Sequence, residues 1–205
     1  MDITTAKAEF GKSYNVGWVG FIHHIHPNFV SAGIEWFTRW SREGGDIEVS
    51  HTFIITGDGT TCEAFADGVN PGRLENYLTD KTVGVFVREP GAWTPESGQK
   101  IAAAALAHDG EHYDFADIAA LAGVNTLMGH LINKATDGKL ERLLTSMAAG
   151  KSDDICSSLV TKALQASKTP LSALLIGNDP YEVSPQDLFS SIDGTFKDGA
   201  TLLTL

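Results

Sequence analysis

A β-hairpin is predicted by the stretch SHTFIITGDGTTCEAFA, residues 50–66. Both halves are rich in apolar and β-branched residues, and they are separated by Gly57-Asp58-Gly59, where glycine accepts the positive φ that tight turns need. With a three-residue loop, Phe53 lies opposite Glu63, and the alternation of side chains places His51 and Glu63 on one face. A two-residue loop would turn Glu63 to the other face. The hairpin with a three-residue loop therefore predicts that the His51 imidazole lies beside the Glu63 carboxylate.

An amphipathic helix is predicted to start near Cys156, after the polar pair Asp153-Asp154. A thiol in the first turn of a helix lies near unpaired backbone N–H groups and the positive end of the helix dipole, and both stabilise the nucleophilic thiolate. Four apolar residues follow at helical spacing and share a stripe with the cysteine: Leu159, Val160, Ala163 and Leu164. A free cysteine on such a stripe is also an ordinary core residue, so the pattern leaves both interpretations open.

The remaining elements follow from periodicity and from start and stop signals. Thr94-Pro95-Glu96 and Ser184-Pro185-Gln186-Asp187 are typical helix starts, with a hydroxyl cap before proline. Strands are predicted over 16–25 and 82–88, and helices over 28–40, 94–110, 115–135, 140–149 and 156–166. Since no repeat and no long linker is present, residues 1–205 are expected to form one domain of the α+β class.

Charge and hydropathy exclude some partners. A formal net charge of −11 without a basic stripe argues against nucleic acid. The longest apolar run, residues 101–107, is far too short to cross a bilayer, which predicts no integral membrane association. Residues 1–14 lack the apolar centre of a secretory signal, so the cytoplasm is the expected location, although export by another route is left open.

Two further groups of histidine and cysteine residues are candidate sites. His24 and His26 would share a strand face, with His23 between them, but no nearby aspartate or cysteine completes a metal site, and no metal is expected. Cys62 and Cys156 are expected to remain thiols in a reducing compartment. A regulatory disulfide between them is disfavoured, because strand alternation points Cys62 away from the face of Glu63.

The order of several short motifs resembles one known family, the YiiX-like branch of the NlpC-type cysteine hydrolases. Its members have a circularly permuted papain-like fold, in which histidine precedes cysteine along the chain, as His51 precedes Cys156 here. The resemblance extends over residues 18–188. The motifs that carry it are Gly45-Asp46-Ile47, Ser50-His51-Thr52-Phe53-Ile54-Ile55, Cys62-Glu63-Ala64, Asp67-Gly68-Val69, Gly110-Glu111-His112-Tyr113-Asp114, Cys156-Ser157-Ser158-Leu159-Val160 and Ser184-Pro185-Gln186-Asp187-Leu188.

The resemblance implies a role for each matching residue. Cys156 would be the nucleophile, His51 the general base and acid, and Glu63 the residue that orients His51. Tyr113 matches a family tyrosine associated with the oxyanion, although a half-buried tyrosine capping a loop is an equal interpretation. The implied fold is a small antiparallel sheet packed against the helix that carries the cysteine. A helical insertion over 115–150 departs from compact members.

The expected function is a cysteine hydrolase that cleaves a peptide-type amide through a thioester acyl-enzyme and needs no cofactor. The expected partner is a peptide or an acyl-containing small molecule, and peptides of bacterial cell walls are common substrates in the family that the chain resembles. The permuted branch also resembles lipid acyltransferases, so a lipid-directed acyl hydrolase or acyltransferase is an alternative. The rival from another class is a catalytically silent binding module of the same fold.

Overall fold

The structure is a computed structural model that describes residues 1–25, 47–65, 68–111, 156–170, 180, 183–191 and 194–205. The predicted helices over 28–40, 115–135 and 140–149 lie outside these residues, as does the insertion that contains the last two. Tyr113 and His26 also lie outside them.

Strands and helices alternate irregularly along the described chain. The strands are β1 (Ile3–Lys7), β2 (Val19–His24), β3 (His51–Gly57), β4 (Thr60–Phe65), β5 (Gly68–Arg73), β6 (Val83–Arg88) and β7 (Ala200–Thr204). The helices are α1 (Leu74–Leu78), α2 (Pro95–Leu106), α3 (Cys156–Ala166) and α4 (Pro185–Ser190). This mixture confirms the α+β class.

The described strands form a seven-stranded sheet in the order β1-β7-β6-β2-β3-β4-β5. β1 and β7 are parallel, whereas all other neighbours are antiparallel. The expectation of a small antiparallel sheet is therefore wrong in size and in one pairing. β5, which reads GVNPGR, lacks a strand signal because glycine, proline and asparagine disfavour strands, and β1 and β7 are short, with polar residues among the apolar ones.

The sheet carries an apolar cluster on each face. On one face, α2 and α3 pack against β3 and β4. The stripe predicted for α3 is confirmed, since Leu159, Val160, Ala163 and Leu164 are all fully buried there together with Cys156. On the other face, α1 packs beside β6, and the cluster is Tyr14, Ile22, Phe53, Ile55, Leu74, Val85, Val87 and Leu203. The central strand β3 thus contributes to both clusters through alternate side chains.

The two predicted helix caps are present. The Thr94 hydroxyl accepts the backbone N–H of Ser97 at the start of α2, and the Ser184 hydroxyl accepts that of Asp187 at the start of α4. In both helices proline occupies the first turn, where its missing N–H costs nothing. None of the helices in the described part of the chain is long and apolar enough to cross a membrane.

The hairpin between β3 and β4 has the predicted register, but its turn is not the predicted one. The turn is the two-residue Asp58-Gly59, with Gly59 at φ +65, and not the expected three-residue loop. A β-bulge between Ile55 and Gly57 supplies the extra residue. Ile54 therefore pairs with Cys62, and continuing this register places Phe53 opposite Glu63. The bulge is what keeps Glu63 on the face of His51.

Candidate active site

His51 and Glu63 are brought together at the end of the sheet where β3 starts and β4 ends. The Nε2 atom of His51 lies 3.2 Å from Oε2 of Glu63. Glu63 is 2% exposed, and the His51 side chain is 14% exposed. The shared face predicted from strand alternation is confirmed. A buried carboxylate at this distance fixes the orientation of the ring and favours its protonated form.

Both oxygens of Glu63 are hydrogen-bonded inside the protein. Tyr77 donates its hydroxyl to Oε2, and Thr61 donates its hydroxyl to Oε1 at 2.8 Å. Burial raises the pKa of Glu63, but the hydrogen bond and charge of His51, together with these two donors, hold that pKa below its ordinary value. Glu63 is therefore a charged carboxylate at neutral pH.

Gly72 makes room for this carboxylate from the neighbouring strand β5. A Cβ atom at position 72 would lie 1.8 Å from Oε1 of Glu63, so no other residue fits without moving the carboxylate. The sequence did not identify Gly72 or Tyr77, because neither β5 nor α1 was predicted. Thr61 carried a weak signal, since it lies two residues before Glu63 and shares its strand face.

Cys156 meets the imidazole from the other side. It lies in the first turn of α3 and is 7% exposed. Burial alone would lower the pKa of His51, but the charge of Cys156, its hydrogen bond with the ring and the pairing with Glu63 outweigh burial and raise the pKa to about 9. The ring is therefore an imidazolium at neutral pH, in contact with a sulfur on one side and a carboxylate on the other.

Aromatic rings surround the imidazole. Phe65 is stacked on His51, with ring centroids 4.7 Å apart and an angle of 17° between the planes. Tyr77 is stacked in turn on Phe53, with ring centroids 5.4 Å apart and an angle of 3° between the planes. The Phe53 ring fills the space above Gly20, where a Cβ atom would lie 2.1 Å from it. These rings restrict the orientation of the imidazole, and the Phe65 ring that stacks on it is itself 42% exposed.

The arrangement has the parts that nucleophilic acyl transfer requires. Cys156 is a potential nucleophile, His51 a proton carrier, and Glu63 the group that orients the carrier. The backbone N–H of Cys156, in the first turn of α3, is a donor suited to an oxyanion. Tyr113, the other predicted oxyanion residue, lies outside the described residues.

The alternative sites considered from sequence gain no support within the described residues. No group of histidine, cysteine, aspartate and glutamate there has an arrangement that would hold a metal ion. His23 is occupied by a hydrogen bond between Nδ1 and the carbonyl of Glu48 at 2.7 Å. Cys62 and Cys156 are free thiols, and burial raises the pKa of Cys62 to about 12. Cys62 is therefore a core residue, whose sulfur lies 3.5 Å from the Ala105 carbonyl oxygen.

The hydroxyl of Tyr77 gives the first testable prediction. Tyr77→Phe removes a donor from a buried carboxylate, so we expect the pKa of Glu63 to rise and the free energy of unfolding to fall by about 1–2 kcal/mol. Urea unfolding measures the second effect, and NMR titration of the side-chain carboxyl carbon of Glu63 measures the first.

Tyr14→Phe is the matched control for Tyr77→Phe. The Tyr14 hydroxyl also donates to a carboxylate, Oδ1 of Asp58, at 3.0 Å, but it lies away from His51. We expect this variant to lose stability and to keep the wild-type pKa of Glu63. An equal rise of that pKa in both variants would contradict the role assigned to Tyr77.

No protein-family model matches this chain, and no curated protein is similar to it. A functional interpretation therefore depends on the geometry of Cys156, His51 and Glu63 and on the chemistry that these residue types perform.

Proposed function

We propose that this protein is a cysteine hydrolase that cleaves a peptide-type amide through a thioester acyl-enzyme. The observation that carries the proposal is the position of His51, which is in contact with Cys156 on one side and with the buried, charged Glu63 on the other. A histidine that occurs in a protein for packing alone needs neither partner. Together these three side chains supply the nucleophile, the proton carrier and the orienting carboxylate that acyl transfer uses.

The proposed reaction starts from a Cys156 thiolate and a His51 imidazolium. The thiolate attacks the carbonyl carbon, and the oxygen takes the negative charge beside the Cys156 backbone N–H. As the C–N bond breaks, His51 donates its proton to the leaving amine, and a thioester and a neutral imidazole remain. His51 then accepts a proton from water while the water oxygen attacks the thioester. The thiolate leaves, the acid is released, and the imidazolium is restored.

We also infer that the fold is a circularly permuted papain-like one. Two features support this inference: His51 precedes Cys156 along the chain, and the helix that carries the cysteine packs against the strand that carries the histidine. An acyl-lipid substrate is the second candidate for the same chemistry. The exposed ring of Phe65, stacked on His51, favours it, since it presents an apolar surface beside the proton carrier.

Trapping of the acyl-enzyme tests the proposal. We expect p-nitrophenyl acetate to leave an acetyl group on Cys156, detected by intact-protein and peptide mass spectrometry. Cys62→Ser should keep the adduct, whereas Cys156→Ala should lose it and should lower the rate of hydrolysis by at least about a thousandfold. Absence of an adduct on Cys156, or an adduct on Cys62 alone, would favour the silent binding module.

A substrate panel then separates the two candidate substrates. Peptide amides and acyl-lipid esters are compared by kcat/KM in the wild-type protein and in Phe65→Ala. Cleavage of the peptides, with little change in Phe65→Ala, would support the amide hydrolase. Preference for acyl lipids that is lost in Phe65→Ala would support the lipid-directed enzyme.

A further inference from the structure

α4 and the residue that precedes its cap contact both halves of the proposed catalytic pair. From the side of the cysteine, the hydroxyl of Ser157 donates to the carbonyl of Val183. From the side of the histidine, Oε1 of Gln186 accepts the backbone N–H of Val49 at 2.9 Å, and its Nε2 donates to the carbonyl of Ile47 at 3.3 Å. One short segment thus contacts the chain next to Cys156 and the chain just before His51.

The side-chain amide of Gln186 forms hydrogen bonds with the segment that leads into β3, as the backbone of a neighbouring strand would. It is 6% exposed, and its Nε2 also donates to the hydroxyl of Ser190 at 2.9 Å. Val49 is completely buried, so its backbone N–H needs a partner inside the protein. The amide supplies that partner and fixes the backbone two residues before His51.

α4 is itself held firmly against the sheet. The guanidinium of Arg88, on β6, donates to the carbonyls of Phe189 and Ser191 at 2.8 and 2.7 Å. Leu188 and Phe189 are buried in the same cluster as Cys156. The position of Gln186 is therefore set by the sheet and the core, and not by solvent-exposed contacts.

We propose that Gln186 is a positioning residue that sets the distance between the His51 imidazole and the Cys156 sulfur. The proposal rests on the proposed function, because the distance matters for proton transfer between these two groups. The hydrogen bond of Ser157 holds the chain beside Cys156 against this segment, and those of Gln186 hold the chain before His51 against it. Loss of either interaction lets the Cys156 sulfur and the His51 ring move relative to each other. A displacement of about 1 Å in a catalytic geometry lowers the rate by about a hundredfold.

Gln186→Leu tests the proposal, since leucine retains the approximate volume and removes every hydrogen bond of the amide. We expect kcat of acyl transfer to fall by about 10- to 100-fold with little change in KM. We also expect the pKa of His51, measured from the imidazole NMR signals, to fall as the contact with Cys156 loosens. Ser157→Ala removes the other interaction and should show the same two effects, so the test stands even if Gln186→Leu does not fold.

Ser190→Ala is the matched control. It removes one partly buried hydrogen bond of the same amide and leaves the bonds to Ile47 and Val49 in place, so kcat and the pKa of His51 should both stay at the wild-type values. If Gln186→Leu and Ser157→Ala behave like Ser190→Ala, the positioning role is overturned. The NMR readout needs no turnover. A wild-type protein that does not transfer acyl groups, but in which the two test variants lower the pKa of His51, would refute the proposed function and support the positioning role.

Discussion

Replacement of His51 by alanine is expected to lower the rate of amide cleavage by at least about a thousandfold. The variant loses the proton donor for the leaving amine and the cation that stabilises the thiolate of Cys156. Alkylation of Cys156 by iodoacetamide at pH 6 should slow by about tenfold or more, because only the thiolate reacts. Peptide mass spectrometry in a Cys62→Ser background measures this rate. His51→Gln retains a polar side chain of similar reach and should be equally slow.

The pH dependence of His51 provides an independent check. Its pKa is raised to about 9, so the ring holds its proton at neutral pH and loses it as pH rises through about 9. We therefore expect the alkaline limb of kcat/KM to lie near pH 9. In Cys156→Ala the charge and the hydrogen bond of the sulfur are lost, so NMR titration should show a lower pKa for His51. A ring that titrates near its ordinary value in both proteins would contradict the contact with Cys156.

Replacement of Arg88 by methionine is expected to lower the free energy of unfolding by about 3 kcal/mol or more. Arg88 is 2% exposed and donates to four backbone carbonyls, those of Phe189, Ser191, Lys197 and Gly199. Burial lowers its pKa only to about 10, so the group is charged at neutral pH. Methionine fills part of the space but leaves all four carbonyls without this donor.

Urea unfolding of the two arginine variants tests this expectation. Arg73→Met is the control, because Arg73 is exposed at the end of β5 and its replacement should change stability by about 0.5 kcal/mol or less. A loss in Arg88→Met no larger than in Arg73→Met would show that water replaces the guanidinium at the four carbonyls.

The elements that the sequence predicted well are those with local signals. The caps at Thr94 and Ser184 and the apolar stripe after Cys156 each depend on residues a few positions apart. β1 and β7 were missed because their pairing joins Ile3 to Ala200, and nothing in either strand signals so distant a partner. Their strand conformation comes from tertiary pairing more than from intrinsic preference.

The candidate site likewise contains residues that local sequence signals predicted and residues that they did not. His51 and Glu63 were placed on one face from the hairpin alone, although the turn that produces this register was predicted incorrectly. The groups that hold Glu63, Tyr77 and Gly72, come from elements without a clear pattern, and their role is visible only when the strands are assembled. A hydrogen bond between residues on separate elements cannot be predicted from the spacing of residues along the sequence.

The bulge beside Ile55 has a consequence for how this protein can change by mutation. Thr56 is the extra residue, because Ile55 pairs with Thr61 while Gly57 pairs with Thr60. Deletion of Thr56 would leave these two pairs next to each other, so the register would be retained and Glu63 would stay on the face of His51. A slip that straightens the bulge with Thr56 still present would instead place Ile54 opposite Glu63, and every side chain of β4 would exchange faces. Glu63 would then enter the apolar layer beneath α2 and α3, so this hairpin tolerates the loss of one residue better than a shift of its strand pairing.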